Sequence, residues 1–409
     1  MKRLHATQRV EPFSIAATLS LEKYHRASRK PSLLADSTVS NRATWGRSSL
    51  RHSWLRTLFS SAPVVLAPLL ALSCFLALAG YEGSLSKLSA AILQDGLVSV
   101  LRVHGPSFTV QGMTAMICWL AFQAMLFYYL PGPTNTGQRT PAGHLLTYRT
   151  NGLLAWVITH VVFASLCCVG ILDPGFVPRN WGGLFAAMNL AGFLLSSLAY
   201  LKAYLMPTHP EDRTFSDFFI NEAWYLRTID IAHDHYGFYL AWGCITWVPS
   251  MYTLQAQYLG LYPTSVSPLY LLLIFGTGIA GYALFRSVNS QKDRVRRSRG
   301  KALVWGKPAE FIRAKYRTLD GMEHESILLC SGWWGWSRHA NYVGDLLLSF
   351  AMCALVSTSS LLVWFYITFM AILLVHRCLR DEERGRAKYG LSWEEYCRKV
   401  PWRLVPRIW

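Results

Sequence analysis

The sequence predicts an all-α, polytopic transmembrane protein with about eight membrane passes. Hydrophobic residues make up 52% of its 409 residues and charged residues only 15%, whereas soluble domains carry about 25% charged residues. Long uncharged segments recur along the chain, and the net charge of +17 is concentrated in a few stretches around them. This composition excludes a disordered chain, and it argues against a small secreted scaffold and a nucleic-acid-binding domain.

The first 55 residues are rich in Ser, Thr, Arg and Lys. The first apolar segment begins only at about residue 61, which is late for a secretory signal peptide. Glu11, Glu22 and Asp36 weaken a partial likeness to an organelle transit peptide. We therefore expect residues 1–55 to form a disordered, basic, cytosolic tail.

Seven apolar segments follow this tail, and a membrane-spanning helix needs about 20 apolar residues. The last segment is interrupted by polar residues at 357–360 and is long for one helix, so we expect a tight helical hairpin there. We assign the first passes to residues 56–220 and a second transmembrane core to 221–409. The segments are 61–80, 108–130, 152–172, 181–201, 236–262, 264–285 and 346–375.

Basic residues predict the orientation. They exceed acidic residues by eight in 1–60, by nine in 286–318 and by four in 376–409. Basic loops remain on the cytosolic side of a membrane. Eight passes place all three stretches on that side, with both termini in the cytosol.

The first candidate functional cluster comprises Asp230, His233, Asp234 and His235. These ionisable residues lie at the mouth of an uncharged segment, where such groups are functional candidates; the alternative is a helix end whose charges face water. The two histidines lie on different faces of a helix. There is no H-E-x-x-H motif and the nine cysteines form no C-x-x-C pair, so no metal site is predicted.

The second cluster is a basic loop that follows directly from a membrane helix. Lys292 and Arg296 are four residues apart and share a face if the helix continues. Such a pair can bind a phosphate or pyrophosphate. The alternative is a juxtamembrane patch that binds anionic lipid and sets the topology.

Two further clusters lie near the C-terminus. Residues 332–345 combine tryptophans with Arg338, His339, Asn341 and Tyr342, which suits stacking against a nucleotide but also fits an interfacial aromatic belt. Residues 376–396 alternate charge, which usually indicates a solvated helix face. No G-x-G-x-x-G motif follows a strand, so there is no Rossmann domain and any nucleotide site must be built from helix ends and loops.

Several long motifs carry a family resemblance. The run from Trp224 to Gly243, with Trp247-Val-Pro249 and Tyr252-Thr-Leu-Gln255, resembles the ergosterol-biosynthesis reductase family. That family holds sterol C14- and C24-reductases, the lamin B receptor and 7-dehydrocholesterol reductase, and the pattern looks most like the last branch. The ending is similar too, in Leu373–Glu382, Tyr389-Gly390, Trp393–Tyr396 and Val400-Pro401. The resemblance covers roughly residue 108 to the C-terminus.

The resemblance implies a helical protein of the endoplasmic reticulum membrane that reduces the C7–C8 double bond of a sterol, with NADPH as the cofactor. Sterol and membrane lipid are the expected partners, with no nucleic acid. For the proton relay, we consider Asp381 together with the first cluster. Carried over by position, the NADPH contacts are Lys292, Arg296, Leu329, Trp334, Asn341, Tyr342, Asp381, Gly385, Arg386, Ala387, Lys388, Tyr389 and Tyr396.

One departure from the family pattern matters. The family has about 66 more residues between Phe219 and Asn221, including two membrane helices and a candidate proton-donating tyrosine. We therefore expect a chain that binds NADPH better than it reduces sterol. The alternatives are a sterol Δ14-reductase, a membrane isoprenylcysteine methyltransferase that uses S-adenosylmethionine, and a non-enzymatic membrane protein.

Overall fold

The computed structural model describes residues 54–139, 145–205, 238–318 and 320–409. All of them belong to one compact unit, Ala43–Trp409. The predicted tail lies outside these residues except for its last two, which begin the first helix. The predicted boundary at 220/221 also lies outside them.

Four helices form the N-terminal part that the structure describes. The apolar segments 61–80 and 108–130 are confirmed as helical. Two further helices between them were not predicted, because Lys87, Asp95 and Arg102 interrupt the apolar pattern. The first two helices meet at an angle of 91°. The four are α1 (Trp54–Gly80), α2 (Leu85–Asp95), α3 (Leu97–His104) and α4 (Val110–Tyr129).

A hairpin and three helices follow. The Asn151 side chain donates hydrogen bonds to the carbonyl oxygens of Phe127 and Leu130, each at 3.1 Å, and so ties the end of α4 to the next helix. The apolar segments 152–172 and 181–201 are confirmed as helical. The elements are β1 (Thr134–Arg139), β2 (Leu145–Arg149), α5 (Gly152–Cys168), α6 (Phe176–Arg179) and α7 (Trp181–Leu205).

The segment 236–262, predicted as one span, is broken into short pieces. Proline has no backbone N–H and interrupts a helix interior. Pro249 lies in the first turn of a new helix, and a π-helical turn at Gly243–Trp247 precedes it. The short helices are α8 (Phe238–Trp242), α9 (Val248–Met251) and α10 (Leu254–Leu261).

The C-terminal part contains two long helices and the predicted hairpin. The hairpin is confirmed: its helices pack against each other, and the break falls at residues 355–360. A 3₁₀ turn, Leu361–Trp364, leads into the second helix. The helices are α11 (Pro268–Arg297), α12 (Trp333–Trp336), α13 (Ala340–Ala354), α14 (Phe365–Tyr389) and α15 (Leu391–Lys399).

The prediction of an all-α fold is wrong in one respect, because the described residues include three antiparallel two-stranded sheets. Besides β1–β2, there are β3 (Leu303–Val304) with β4 (Lys307–Pro308), and β5 (Phe311–Arg317) with β6 (Glu323–Leu329). In β5 a buried residue alternates with an exposed one, which is the period of a half-buried strand. The charge-based interpretation of 286–318 as a loop overlooked that alternation.

Four described helices are long and apolar enough to cross a membrane, or five if the bent α1–α2 pair counts as one span. The candidate spans are Val110–Tyr129, Trp181–Ala199, Pro268–Arg297 and Leu361–Tyr389, the last of which combines the 3₁₀ turn with α14. Helices α5 and α13 are shorter apolar helices. The chain is therefore a mostly helical, multi-pass membrane protein. The total of about eight passes and the cytosolic placement of both termini stay predictions.

Helices α11 and α13 cross at two glycines. A Cβ atom on Gly344 would lie 2.6 Å from the Gly281 carbonyl oxygen, and one on Gly281 would lie 2.8 Å from the Gly344 carbonyl oxygen. Only glycine permits this backbone-to-backbone approach. The crossing brings the basic end of α11 close to the first turn of α13, where the predicted site residues lie.

Candidate functional site

The end of α11 is held against α12. The Lys292 ammonium lies 3.8 Å above the centroid of the Trp334 ring. The Trp334 indole donates a hydrogen bond to the Val288 carbonyl oxygen at 2.9 Å, and Gln291 Oε1 accepts one from the Trp333 backbone N–H at 2.9 Å. Gly332 has φ 65°, and a Cβ atom there would lie 2.5 Å from the Gln291 side chain. The glycine thus allows the chain to turn close to α11.

Two more predicted residues lie beside this contact. Arg296 donates from Nε to the Ile327 carbonyl oxygen at 3.4 Å, which connects α11 to β6. Leu329 ends β6, and its side chain is buried in a core cluster with Val288 and Trp334. Leu329 can therefore reach a ligand only through its backbone.

The first turn of α13 contacts α14 through polar groups. The Tyr342 hydroxyl donates a hydrogen bond to Asp381 Oδ2 at 3.2 Å, and His339 Nε2 lies 3.5 Å from the same oxygen. The His339 and Tyr342 rings are stacked, with their centroids 5.0 Å apart. Asn341 Oδ1 is buried and has no hydrogen-bond partner among the described residues. An amide oxygen in this position is available to a ligand donor.

A buried ion network lies next to this turn. Glu382 is bonded through Oε1 to Arg338 and to Arg403 Nε, the latter at 2.8 Å, and through Oε2 to Arg403 at 3.0 Å. Arg338 also donates to the Val400 carbonyl oxygen at 2.9 Å. Arg338 and Glu382 are only 5% and 6% exposed. The network attaches the last ten residues of the chain to α13 and α14.

The last turns of α14 present one face to the site. Asp381, Gly385 and Lys388 recur at helical spacing, and the latter two are buried. A Cβ atom on Gly385 would clash with the Trp393 ring, so α15 packs directly on this glycine. Arg386 and Ala387, predicted in the same stretch, are exposed. The structure therefore brings some residues of the predicted run 385–389 to the site and turns others away from it.

Aromatic side chains complete this part of the site. The Lys388 ammonium lies 4.3 Å above the Tyr316 ring, and the Tyr389 hydroxyl lies 3.5 Å from Ser326 Oγ. Tyr389 stacks on Trp393, whose ring lies 5.3 Å from that of Tyr396. Burial raises the pKa of the Tyr396 phenol well above its usual range, so its hydroxyl stays protonated.

Basic side chains from α11 and α14 lie near one another in the site. Arg296 is an electrostatic neighbour of both Lys292 and Lys388, and Arg384 is another neighbour of Lys388. Asp381 is an electrostatic neighbour of Lys292. Basic groups that converge from two helices suit an anion with several negative charges, which would stabilise their protonated forms.

Some functional candidates were missed and others lie outside the described residues. Asp230, His233, Asp234 and His235 fall in 206–237, which the structure does not describe. The sequence indicates His339 only as part of the polar, aromatic stretch 332–345, and it does not predict the contact of His339 with Asp381. Arg403 was not singled out, because the sequence carries no signal that residues 21 positions apart share an ion network.

A model described as the ergosterol biosynthesis ERG4/ERG24 family matches residues 97–218 and 213–409 of this chain. The chain belongs to this family. The two matched segments cover most of the residues described above, including every element of the C-terminal site.

Curated relatives of the ERG4/ERG24 chain span most of its length. It is 34% identical to the 7-dehydrocholesterol reductase of Danio rerio, over 90% of this chain and 94% of the relative. It is 34% identical to a probable 7-dehydrocholesterol reductase of Acanthamoeba polyphaga mimivirus, over 91% and 100%. It is 32% identical to the Delta(14)-sterol reductase of Methylotuvimicrobium alcaliphilum, over 75% and 85%.

The two matched segments of this ERG4/ERG24 member overlap at residues 213–218, which form the junction between them. The alignment with the Danio rerio protein runs over 453 positions, more than the 409 residues of this chain, so that relative has positions that this chain lacks. The junction is the place where the sequence predicts about 66 missing residues, and it lies outside the described residues.

Proposed function

We propose that this chain is an NADPH-dependent sterol reductase of the endoplasmic reticulum membrane that reduces the C7–C8 double bond of its substrate in sterol biosynthesis. The observation that carries the proposal is the convergence of Lys292, Tyr342 and Asp381, from three separate helices, on one cationic and aromatic site. The names of two relatives aligned over about nine-tenths of the chain support the reaction.

The residues present fit NADPH. Its phosphates carry several negative charges, which Lys292, Arg296 and Lys388 would neutralise. Asn341 Oδ1 is buried without a partner among the described residues and would accept a hydrogen bond from the cofactor. When bound, NADPH supplies the hydride for the reduction.

The remaining chemistry is proton delivery by this chain. An isolated carbon–carbon double bond is a poor hydride acceptor, so one carbon must first be protonated by a positioned acid. Asp381 is the acid that we assign, because its Oδ2 already interacts with a hydroxyl and an imidazole. An apolar sterol pocket would limit the trapping of a cationic sterol by water. The group Asp230, His233, Asp234 and His235 remains proposed as a further part of the relay.

The test uses microsomes from cells that express the full chain. They are given 7-dehydrocholesterol and NADPH, and the sterol products are analysed by mass spectrometry. We expect loss of the C7–C8 double bond, and we expect Asp381→Asn to lower turnover about a hundredfold or more, the usual contribution of a general acid. Glu383→Gln, which changes an exposed carboxylate on the same helix, is the matched control.

Sterol Δ14 reduction is the second candidate, because the alignment with the Delta(14)-sterol reductase of Methylotuvimicrobium alcaliphilum covers 75% of this chain. A Δ14-sterol given in parallel decides between the two positions by the product formed. We further propose that the junction at 213–218 leaves the sterol pocket incomplete, so that NADPH binds more readily than sterol turns over. NADPH binding without any sterol product would indicate a reductase that the missing residues have inactivated, and selective binding of S-adenosylmethionine would contradict the reductase.

A further inference from the structure

His339 is fixed by partners on three sides. Its Nδ1 lies 3.1 Å from the Arg403 carbonyl oxygen, and its Nε2 lies 3.5 Å from Asp381 Oδ2. Its ring stacks on Tyr342, and its backbone N–H donates to Ser337 Oγ at 3.2 Å. The residue is only 6% exposed. A histidine held in this way has one orientation and one set of proton contacts.

These partners determine where the protons of His339 lie. A carbonyl oxygen only accepts hydrogen bonds, so Nδ1 carries a hydrogen and donates it to Arg403. Nε2 faces a carboxylate oxygen, and two acceptors without a proton between them would repel each other. One exchangeable proton therefore lies between His339 Nε2 and Asp381 Oδ2, which are 3.5 Å apart.

The surrounding charges explain why Asp381 needs this partner. Arg377 and Arg384 on α14 and Lys292 on α11 are electrostatic neighbours of Asp381. Positive charges stabilise an ionised carboxylate, and a carboxylate that stays ionised has no proton to give. The other charged groups around the pair are Arg338, Glu382 and Arg403, which are bonded to one another.

We propose that His339 is a positioning residue that stores the catalytic proton for Asp381, and that the C-terminal segment holds its tautomer through the Arg403 carbonyl. This inference rests on the proposed function. The pair gives one proton to a carbon of the double bond, which forms a C–H bond and breaks the π bond. A hydride supplied by bound NADPH would form the second C–H bond, and water would then return a proton to the pair.

The test is the His339→Gln substitution in the full chain. The new side-chain amide can still donate to Asp381 but cannot store a proton. We expect turnover at neutral pH to fall about tenfold or more. We also expect the pH above which activity is lost to move down by at least about one unit, because Asp381 alone keeps its proton only at lower pH. His160→Gln, which changes an exposed histidine on α5, is the control and keeps the original profile.

NADPH binding and the melting temperature are measured on the same samples. A His339→Gln variant that keeps the unaltered pH profile, whatever its rate, overturns the inference while the reductase stands. If this variant does not fold, His339→Asn is used, since its amide reaches the Arg403 carbonyl instead, and the same shift is expected. Absence of sterol reduction by the unsubstituted protein that still binds NADPH overturns the proposed function and this inference together.

Discussion

Lys292 lies over Trp334, with 3.8 Å between the ammonium nitrogen and the ring centroid. The contact joins the last turns of a long apolar helix to a short aromatic helix 42 residues later. A cation over an indole face is stabilised by about 0.5–2 kcal/mol. The basic stretch is therefore more than a topology signal, because one of its lysines is turned inward against an indole ring.

Lys292→Gln tests whether this charge holds the cofactor. A hydrogen bond to a charged group contributes about 1.5–3 kcal/mol, and each 1.4 kcal/mol changes the affinity about tenfold. We expect NADPH affinity, measured by quenching of tryptophan fluorescence, to fall about tenfold or more. Lys307→Gln removes an exposed lysine from β4 as the control. Equal NADPH affinities of the two variants would show that Lys292 does not bind the cofactor.

Gly344→Ala tests the crossing of α11 and α13. The new Cβ atom would lie 2.6 Å from the Gly281 carbonyl oxygen and 2.7 Å from the Phe285 nitrogen, both backbone atoms that cannot rotate away. Overpacking of this kind costs about 1–3 kcal/mol. We expect a lower melting temperature and weaker NADPH binding, since the crossing positions both halves of the site. Gly276→Ala on α11 meets nothing within 4 Å and should show neither effect.

Glu382→Gln tests the buried ion network. The substitution leaves Arg338, which is 5% exposed, with a buried charge and no carboxylate. Removing one partner of a buried ion pair costs about 3–5 kcal/mol. We expect a clear fall in the melting temperature in detergent. The melting temperature of Glu383→Gln, which changes the exposed neighbour, should equal that of the original protein within experimental error. A similar fall in this variant would mean that the effect comes from the charge of the helix in general.

The Cys330 thiol tests the packing of β6 in solution. Burial raises the pKa of Cys330 to about 11, so less thiolate is present at neutral pH than in an ordinary cysteine with a pKa of about 8.5. Only the thiolate reacts with an alkylating reagent. We expect a single-cysteine variant to react slowly at pH 8, with a rate that still rises about tenfold per pH unit up to pH 10. In urea the rate of alkylation should level off near pH 9. The same dependence of the rate on pH with and without urea would contradict the packing of Cys330 against its neighbours.

Much of the helical framework follows from the sequence because membrane insertion depends on local composition. Five of the six apolar segments ahead of the hairpin became helices, and the polar break at 357–360 marks the hairpin turn. The segment 236–262 departs from this pattern, since Pro249 forces a new helix start. The strand β5 was missed because its alternating basic residues were counted as loop charge.

The candidate site divides in the same way. The sequence by itself determined which chemical groups are present: cations near 292–296, a polar aromatic turn near 341 and a carboxylate at 381. Their partners were decided only by tertiary structure. The contact of His339 with Arg403 spans 64 positions, and the contact of Tyr342 with Asp381 spans 39. Such pairs depend on how helices cross, here at Gly281 and Gly344. Short-range sequence patterns contain no information about which residues of distant segments lie close together in space.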